Sequence, residues 1–210
     1  MSDTMSVNRF GRWSAFALFL IGLAYIAALA IGFARYGLTK PIVDPLLAVM
    51  EVLTLVSAPL MVIMMAAVHG YAPPERKTYS LIALAFMILV AGTTSAVHFV
   101  QLTALRQLGS SGIVWPSAAY AIELLAWNLF LGLSLLFAAP VFEGAGLERG
   151  IRRGLLIGGA LCMAGVFGPA VGNMRFQLVG VLGYGGVFPV VCFMLSRLFR
   201  DPRGHPTQAA

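Results

Sequence analysis

The chain alternates on a long scale, with runs of about twenty apolar residues, each closed by a short segment of glycine, proline or charged residues. Six such runs stand at residues 13–35, 46–69, 79–104, 116–140, 153–171 and 176–198. A helix rises 1.5 Å per residue, so a run of about 20 residues is long enough to cross the hydrocarbon layer of a bilayer. The breaks at 36–41, 70–75, 109–112, 143–146 and 171–173 carry turn chemistry, and all are too short for a soluble domain. Within each run the apolar residues are continuous rather than alternating, which excludes the dyad pattern of a membrane β-barrel. The expected fold is an all-α integral membrane protein, one six-helix domain over residues 1–210, with residues 199–210 as a short polar tail.

Composition agrees with this pattern. Of the 210 residues 60% are hydrophobic and only 10% charged, where soluble domains carry about a quarter charged. A mean hydropathy of +0.89 is equally foreign to a disordered chain. The first run follows Arg9 and Arg12 and extends too far for the short core of a signal peptide, so it is read as the first membrane helix. Cys162 and Cys192 are the only cysteines, each inside an apolar run, and imply neither a disulfide framework nor a zinc site.

Charge then orients the six helices. Cytoplasmic segments of membrane proteins are enriched in Lys and Arg. One side of the six-helix arrangement collects Arg9, Arg12, Arg76, Lys77, Arg149, Arg152, Arg153, Arg197, Arg200 and Arg203; the other holds Arg35, Lys40, Arg106 and Arg175. This ten-to-four division places both termini in the cytoplasm, as in a bacterial-type inner membrane. It also accounts for the net charge of +6 without nucleic acid, for which there is no basic run or binding motif.

With the sides set, the polar residues within the runs fall mostly in the half away from the cytoplasm. Asp44, Glu51, Thr54 and Ser57 lie at the start of the second run, Thr94, His98 and Gln101 at the end of the third, and Trp115, Tyr120, Glu123, Trp127 and Asn128 at the start of the fourth. Asn173, Arg175, Gln177 and Tyr184 open the sixth. Glu51, His98 and Glu123 each come out at roughly 6 to 11 Å inside their helix ends. Thr94, His98 and Gln101 share one helix face by spacing, as do Tyr120, Glu123 and Trp127. A carboxylate at membrane depth costs about 2.5–3.5 kcal/mol even on lenient scales. Two at one level, with a histidine, therefore predict an outward-opening polar pocket between the second, third, fourth and sixth helices.

The chemistry available to such a pocket is acid–base. Glu123 is a candidate proton donor, His98 or Glu51 a candidate base, and Tyr120, Trp127 and Tyr184 could shelter positive charge on a hydrophobic substrate. Asn128, Gln101 and Thr94 add hydrogen-bonding groups, and Arg106 and Arg175 at the rim suit an anionic headgroup or simply the water boundary. The expected activity is isomerisation or cyclisation of a lipid-like or isoprenoid molecule. The alternatives are a binding or transport protein for a small solute or lipid, and an accessory subunit of a membrane complex. A haem or metal finds poor support in three histidines, because a zinc would need His98, Glu51 and Glu123 together; no cofactor is expected. Small-residue ridges, Ala24–x3–Ala28–x3–Gly32 in the first run and Gly154–x3–Gly158 with Ala160–x3–Ala164–x3–Gly168 in the fifth, suit close helix packing within the chain, in a homo-oligomer or against a partner helix.

Overall fold

The computed structural model describes residues 2–37, 40–109 and 114–200, with side chains from residue 7 onward. Within them it contains six helices long and apolar enough to span a membrane, and no strands. They are α1 (Ser2–Tyr36), α2 (Leu46–Tyr71), α3 (Pro74–Leu105), α4 (Ala118–Val141), α5 (Leu147–Ala170) and α6 (Gln177–Leu198). Most of the expected tail, residues 201–210, lies outside the described residues.

Three helices begin earlier than hydropathy suggested, α3 at Pro74 rather than 79 among them. α1 extends back to Ser2, and α5 begins at Leu147 rather than 153. The added turns hold Asn8, Arg9, Glu148, Arg149 and Arg152, which are fully compatible with a helix but invisible to a search for apolar length. Glu148 is fixed there, accepting from the Tyr71 hydroxyl at 2.7 Å and from the Gly144 backbone N–H at 2.8 Å. The α1–α2 and α5–α6 turns use Gly37 and Gly172 at φ 82° and 69°, a left-handed conformation that costs glycine little.

Each helix packs on its neighbours in sequence, and α6 returns against α1, so the six form a closed ring. The ring has two unlike halves. The half with the N-terminus and the α2–α3 and α4–α5 turns is filled by Met61, Met64, Met65, Leu131, Leu135, Phe142, Leu155, Cys192 and Leu195, all at most 1–2% exposed. Here Ser134 donates to the Ala83 carbonyl across α3 and α4 at 2.8 Å. The other half, nearer the α1–α2, α3–α4 and α5–α6 connections, encloses a cavity instead.

The glycine ridge of α5 is used inside the chain. Gly154, Gly158, Gly165 and Gly168 lie against Val191, Val187, Gly180 and Gln177 of α6, while Gly159 lies against Gly132 of α4. A Cβ on Gly165 would stand 2.8 Å from the Gly180 Cα, and one on Gly168 would stand 2.6 Å from the Gln177 backbone nitrogen. Backbone cannot yield as a side chain can. Gly165→Ala and Gly168→Ala should each destabilise the bundle by about 1–3 kcal/mol in a thermal or SDS unfolding series. Gly92→Ala, where a Cβ meets nothing within 4 Å, should be neutral or slightly stabilising through helix propensity, by up to about 1 kcal/mol. Equal losses at all three positions would contradict close α5–α6 contact as the cause.

Candidate functional site

The cavity in the hollow half has a volume of about 450 Å3, within the range of small-molecule sites. Its wall is largely apolar, with Leu18, Ile21, Leu29, Phe33, Met50, Val181 and Phe188 among the lining residues. Into this wall are set Glu51, Thr54, Ser57, His98, Glu123, Gln177 and three tyrosines, Tyr25, Tyr120 and Tyr184. Met61, Phe188 and Pro189 form its floor against the packed half.

Glu123 is the most heavily bonded of these groups. On α3, Thr94 and His98 stand one turn apart and both reach across to α4. The Thr94 hydroxyl lies 3.2 Å from each carboxylate oxygen, and His98 Nε2 lies 2.9 Å from Oε1. From Glu123's own helix, Trp127 donates its indole N–H to Oε1 at 2.5 Å. Three side chains thus converge on one carboxyl. An ionised carboxylate only accepts, so opposite one, Nε2 would carry the hydrogen of the histidine contact. His98 Nδ1, at the other side of the ring, is buried and has no partner in the protein.

Glu51 is held differently. It is 1% exposed, and its Oε2 accepts from Arg106 Nη1 at 2.8 Å. The same guanidinium makes a bidentate pair with Asp44, 3.0 Å from Nε to Oδ2 and 2.7 Å from Nη2 to Oδ1, and also donates to the Gln101 carbonyl at 3.3 Å. Arg106 therefore ties the start of α2 to the end of α3 and is committed to two carboxylates. The hydrogen bond from Arg106 holds the Asp44 carboxyl below its ordinary range, and the two carboxylates raise the guanidinium further above its own. The second oxygen of Glu51, Oε1, is buried without a partner.

Three helices loosen from α to π geometry at this level: α3 over Gln101–Leu105, α4 over Leu125–Phe130 and α6 over Leu182–Val187. A π turn re-aims the side chains that follow it and is frequent at functional sites. Trp127 and Tyr184 each sit in such a turn, with ring centroids 5.4 Å apart, and the Tyr184 hydroxyl accepts from Gln177 Nε2 at 3.0 Å.

The eleven residues singled out in the sequence are thus dispersed over three settings. Glu51, His98, Glu123, Tyr120, Trp127 and Tyr184 line the cavity. Thr94, Gln101 and Arg106 support that lining from behind or from the rim, through the bonds just described. Asn128 is fully buried away from it, wedged between Gly165 and Gly180, and Arg175 is exposed in the α5–α6 connection. Sequence reasoning left the first helix out of the pocket, whereas Leu18, Ile21, Gly22, Tyr25, Leu29 and Phe33 of α1 form one wall. Tyr25 was the residue missed: it is the one hydroxyl between Ser14 and Tyr36, and it lines the cavity together with Glu51, Tyr120 and Glu123. Among the described residues no group of three His, Cys, Asp or Glu side chains is placed to hold a metal ion. No protein-family model, curated protein or solved structure matches the chain.

Proposed function

We propose that this protein is a membrane-embedded enzyme that moves protons on a lipid-like or isoprenoid substrate, an isomerisation or cyclisation, in a cavity facing away from the cytoplasm. The observation that carries this reading is the His98–Glu123 pair in the wall of an amphipathic cavity, with His98 Nδ1 left without a protein partner. A carboxylate on one ring nitrogen fixes the imidazole and stabilises its charged form, so the other nitrogen serves as base and then acid. In this reading the proton-carrying role passes from Glu123 to His98. Glu123, already accepting from Trp127 and Thr94, is the partner that holds the ring.

For an allylic isomerisation, His98 Nδ1 takes a proton from one carbon as the double bond shifts. The resulting imidazolium then returns a proton to the far carbon, so atoms balance with no further reactant. Tyr25, Tyr120, Trp127 and Tyr184 bring aromatic faces to any positive charge that develops. Transport is less well supported, because a solute path would have to cross the floor and then Met61, Met64, Met65, Leu131, Leu135 and Leu195, all buried.

Proton transfer to carbon can be followed without knowing the substrate. Incubated in deuterium oxide in nanodiscs made from membrane lipid extract, the protein should introduce deuterium into at least one lipid species, read by mass spectrometry. His98→Gln should leave that species unlabelled. No incorporation in any species beyond a protein-free control would sink the enzymatic reading.

A further inference from the structure

α1 and α6 touch closely along one half of their length and part along the other. α1 packs on the Phe188–Leu198 stretch of α6, with Gly22 against Pro189 and Phe19 against Phe193 at 5.0 Å between centroids. It meets Leu182–Val187 only lightly, at Gly185 and Ile26, and Gln177–Val181 scarcely at all. The divergence lies at the level of the cavity. Leu29 and Phe33 on α1 and Leu178 and Val181 on α6 line that cavity across the gap, yet Leu178 is 52% exposed on the flank of the bundle. A residue that both lines the cavity and faces the lipid marks a side opening.

The charges inside select what could enter. Among the described lining residues the ionic groups are Glu51, Glu123 and, at the mouth formed with Pro41 and Val114, Lys40. Glu51 is neutralised by Arg106, whose donors are shared between Glu51, Asp44 and the Gln101 carbonyl, and Glu123 is bonded by His98, Trp127 and Thr94. Among the described lining residues no cation inside the mouth is free for a phosphate. Among the described cavity-lining residues the buried side-chain atoms left unpartnered are Glu51 Oε1 and His98 Nδ1; Gln101 Oε1 and the amide of Asn128 are also unpartnered but lie off the lining. Glu51 and His98 are both more than nine-tenths buried. A hydroxyl donates to Glu51 Oε1 without bringing a charge into a low-dielectric site, and leaves His98 Nδ1 to the hydrocarbon part of the same molecule.

We propose that the α1–α6 cleft is a lateral portal through which an uncharged membrane alcohol enters from the bilayer, placing its hydroxyl on Glu51, the carbons that follow beside His98 Nδ1, and its hydrocarbon body along Leu29, Phe33, Leu178 and Val181. This rests on the reading of the cavity as a site for a lipid-like substrate and names the class of that substrate and its route. It also explains why an all-apolar edge borders a cavity that otherwise carries polar groups: the hydrocarbon part of the ligand never leaves an apolar environment.

Two probes test it in phosphatidylcholine nanodiscs: a long-chain alcohol bearing a diazirine in its chain, and the matching phosphate monoester. After irradiation, the alcohol should attach to Phe33, Leu178 or Val181, with labelling at least tenfold above that of the phosphate and suppressed by excess unlabelled alcohol. Val181→Trp, which narrows the cleft, should reduce labelling severalfold. Glu51→Gln, which keeps the side chain's size, should weaken competition by the alcohol by about tenfold. Equal labelling by both probes overturns the assignment of an uncharged headgroup. Labelling confined to Lys40, Pro41 and Val114 overturns the lateral route, and an absence of competable labelling overturns both. Occupancy is read here without turnover. A labelled cleft in a protein that transfers no deuterium counts against the enzymatic reading alone, and deuterium transfer without cleft labelling counts against the portal alone.

Discussion

Glu123→Gln should leave the bundle folded while reducing deuterium transfer by about 10²- to 10⁴-fold, the range associated with general acid–base groups and with loss of the carboxylate that orients a catalytic histidine. The amide is nearly isosteric and its oxygen still accepts from Trp127 Nε1, so packing survives. What disappears is the negative charge opposite His98 Nε2, and with it both the fixed tautomer and the stabilisation of the imidazolium. Glu123→Ala is a different experiment. It leaves the Trp127 and Thr94 donors and His98 Nε2 without their shared acceptor, and each buried orphan costs about 1–3 kcal/mol. The alanine variant should therefore lose stability as well as turnover, and comparison of the two separates the chemistry from the scaffold. Full transfer activity in the glutamine variant would remove His98–Glu123 from the mechanism.

Arg106→Met should be the most damaging single change to stability. Glu51 is buried and Arg106 is its one ion-pair partner among the described residues, so the substitution strands a carboxylate in the membrane interior; breaking such a pair by removing one member costs about 3–5 kcal/mol. The bond to Asp44 contributes little to that figure, because the Asp44 side chain is half exposed and solvent screens it. Combining Arg106→Met with Glu51→Gln removes the stranded charge and should recover more than half of the loss. An SDS unfolding series on the two single variants and the double variant measures this directly. A loss below about 1 kcal/mol in Arg106→Met would mean that water reaches Glu51 and that the cavity wall is open at this point.

Six membrane spans are legible in the sequence because bilayer thickness imposes a length on every apolar run, and the depth of Glu51, His98 and Glu123 follows from the same rise per residue. The convergence of Thr94 and His98 was visible as spacing, since residues one turn apart present one face. Several things could not be read in this way. Helix periodicity assumes an unbroken α-helix, but α3, α4 and α6 each contain a π turn at the cavity, which separates Gln101 from the lining and sets Trp127 against Tyr184. The partner of Arg106 depended on which end of which helix came near, a question of ring closure rather than of pattern. Finally, α1 presents small residues that suit packing, and Tyr25 in an otherwise apolar run gave a weak signal for a cavity wall. The glycines of α5 were legible as a packing ridge, but their assignment to α6 and α4 required the fold.

The unequal filling of the ring means that the same six helices have two different local stabilities. Where methionine and leucine side chains interlock, separating any helix exposes a continuous core, so this half opens only with the whole molecule. Around the cavity there is less to lose, and helix ends there can part by small amounts while the opposite half stays closed. The interlocked half would act as a clasp, letting the other breathe without unfolding, a property that suits the side entry proposed for the cavity.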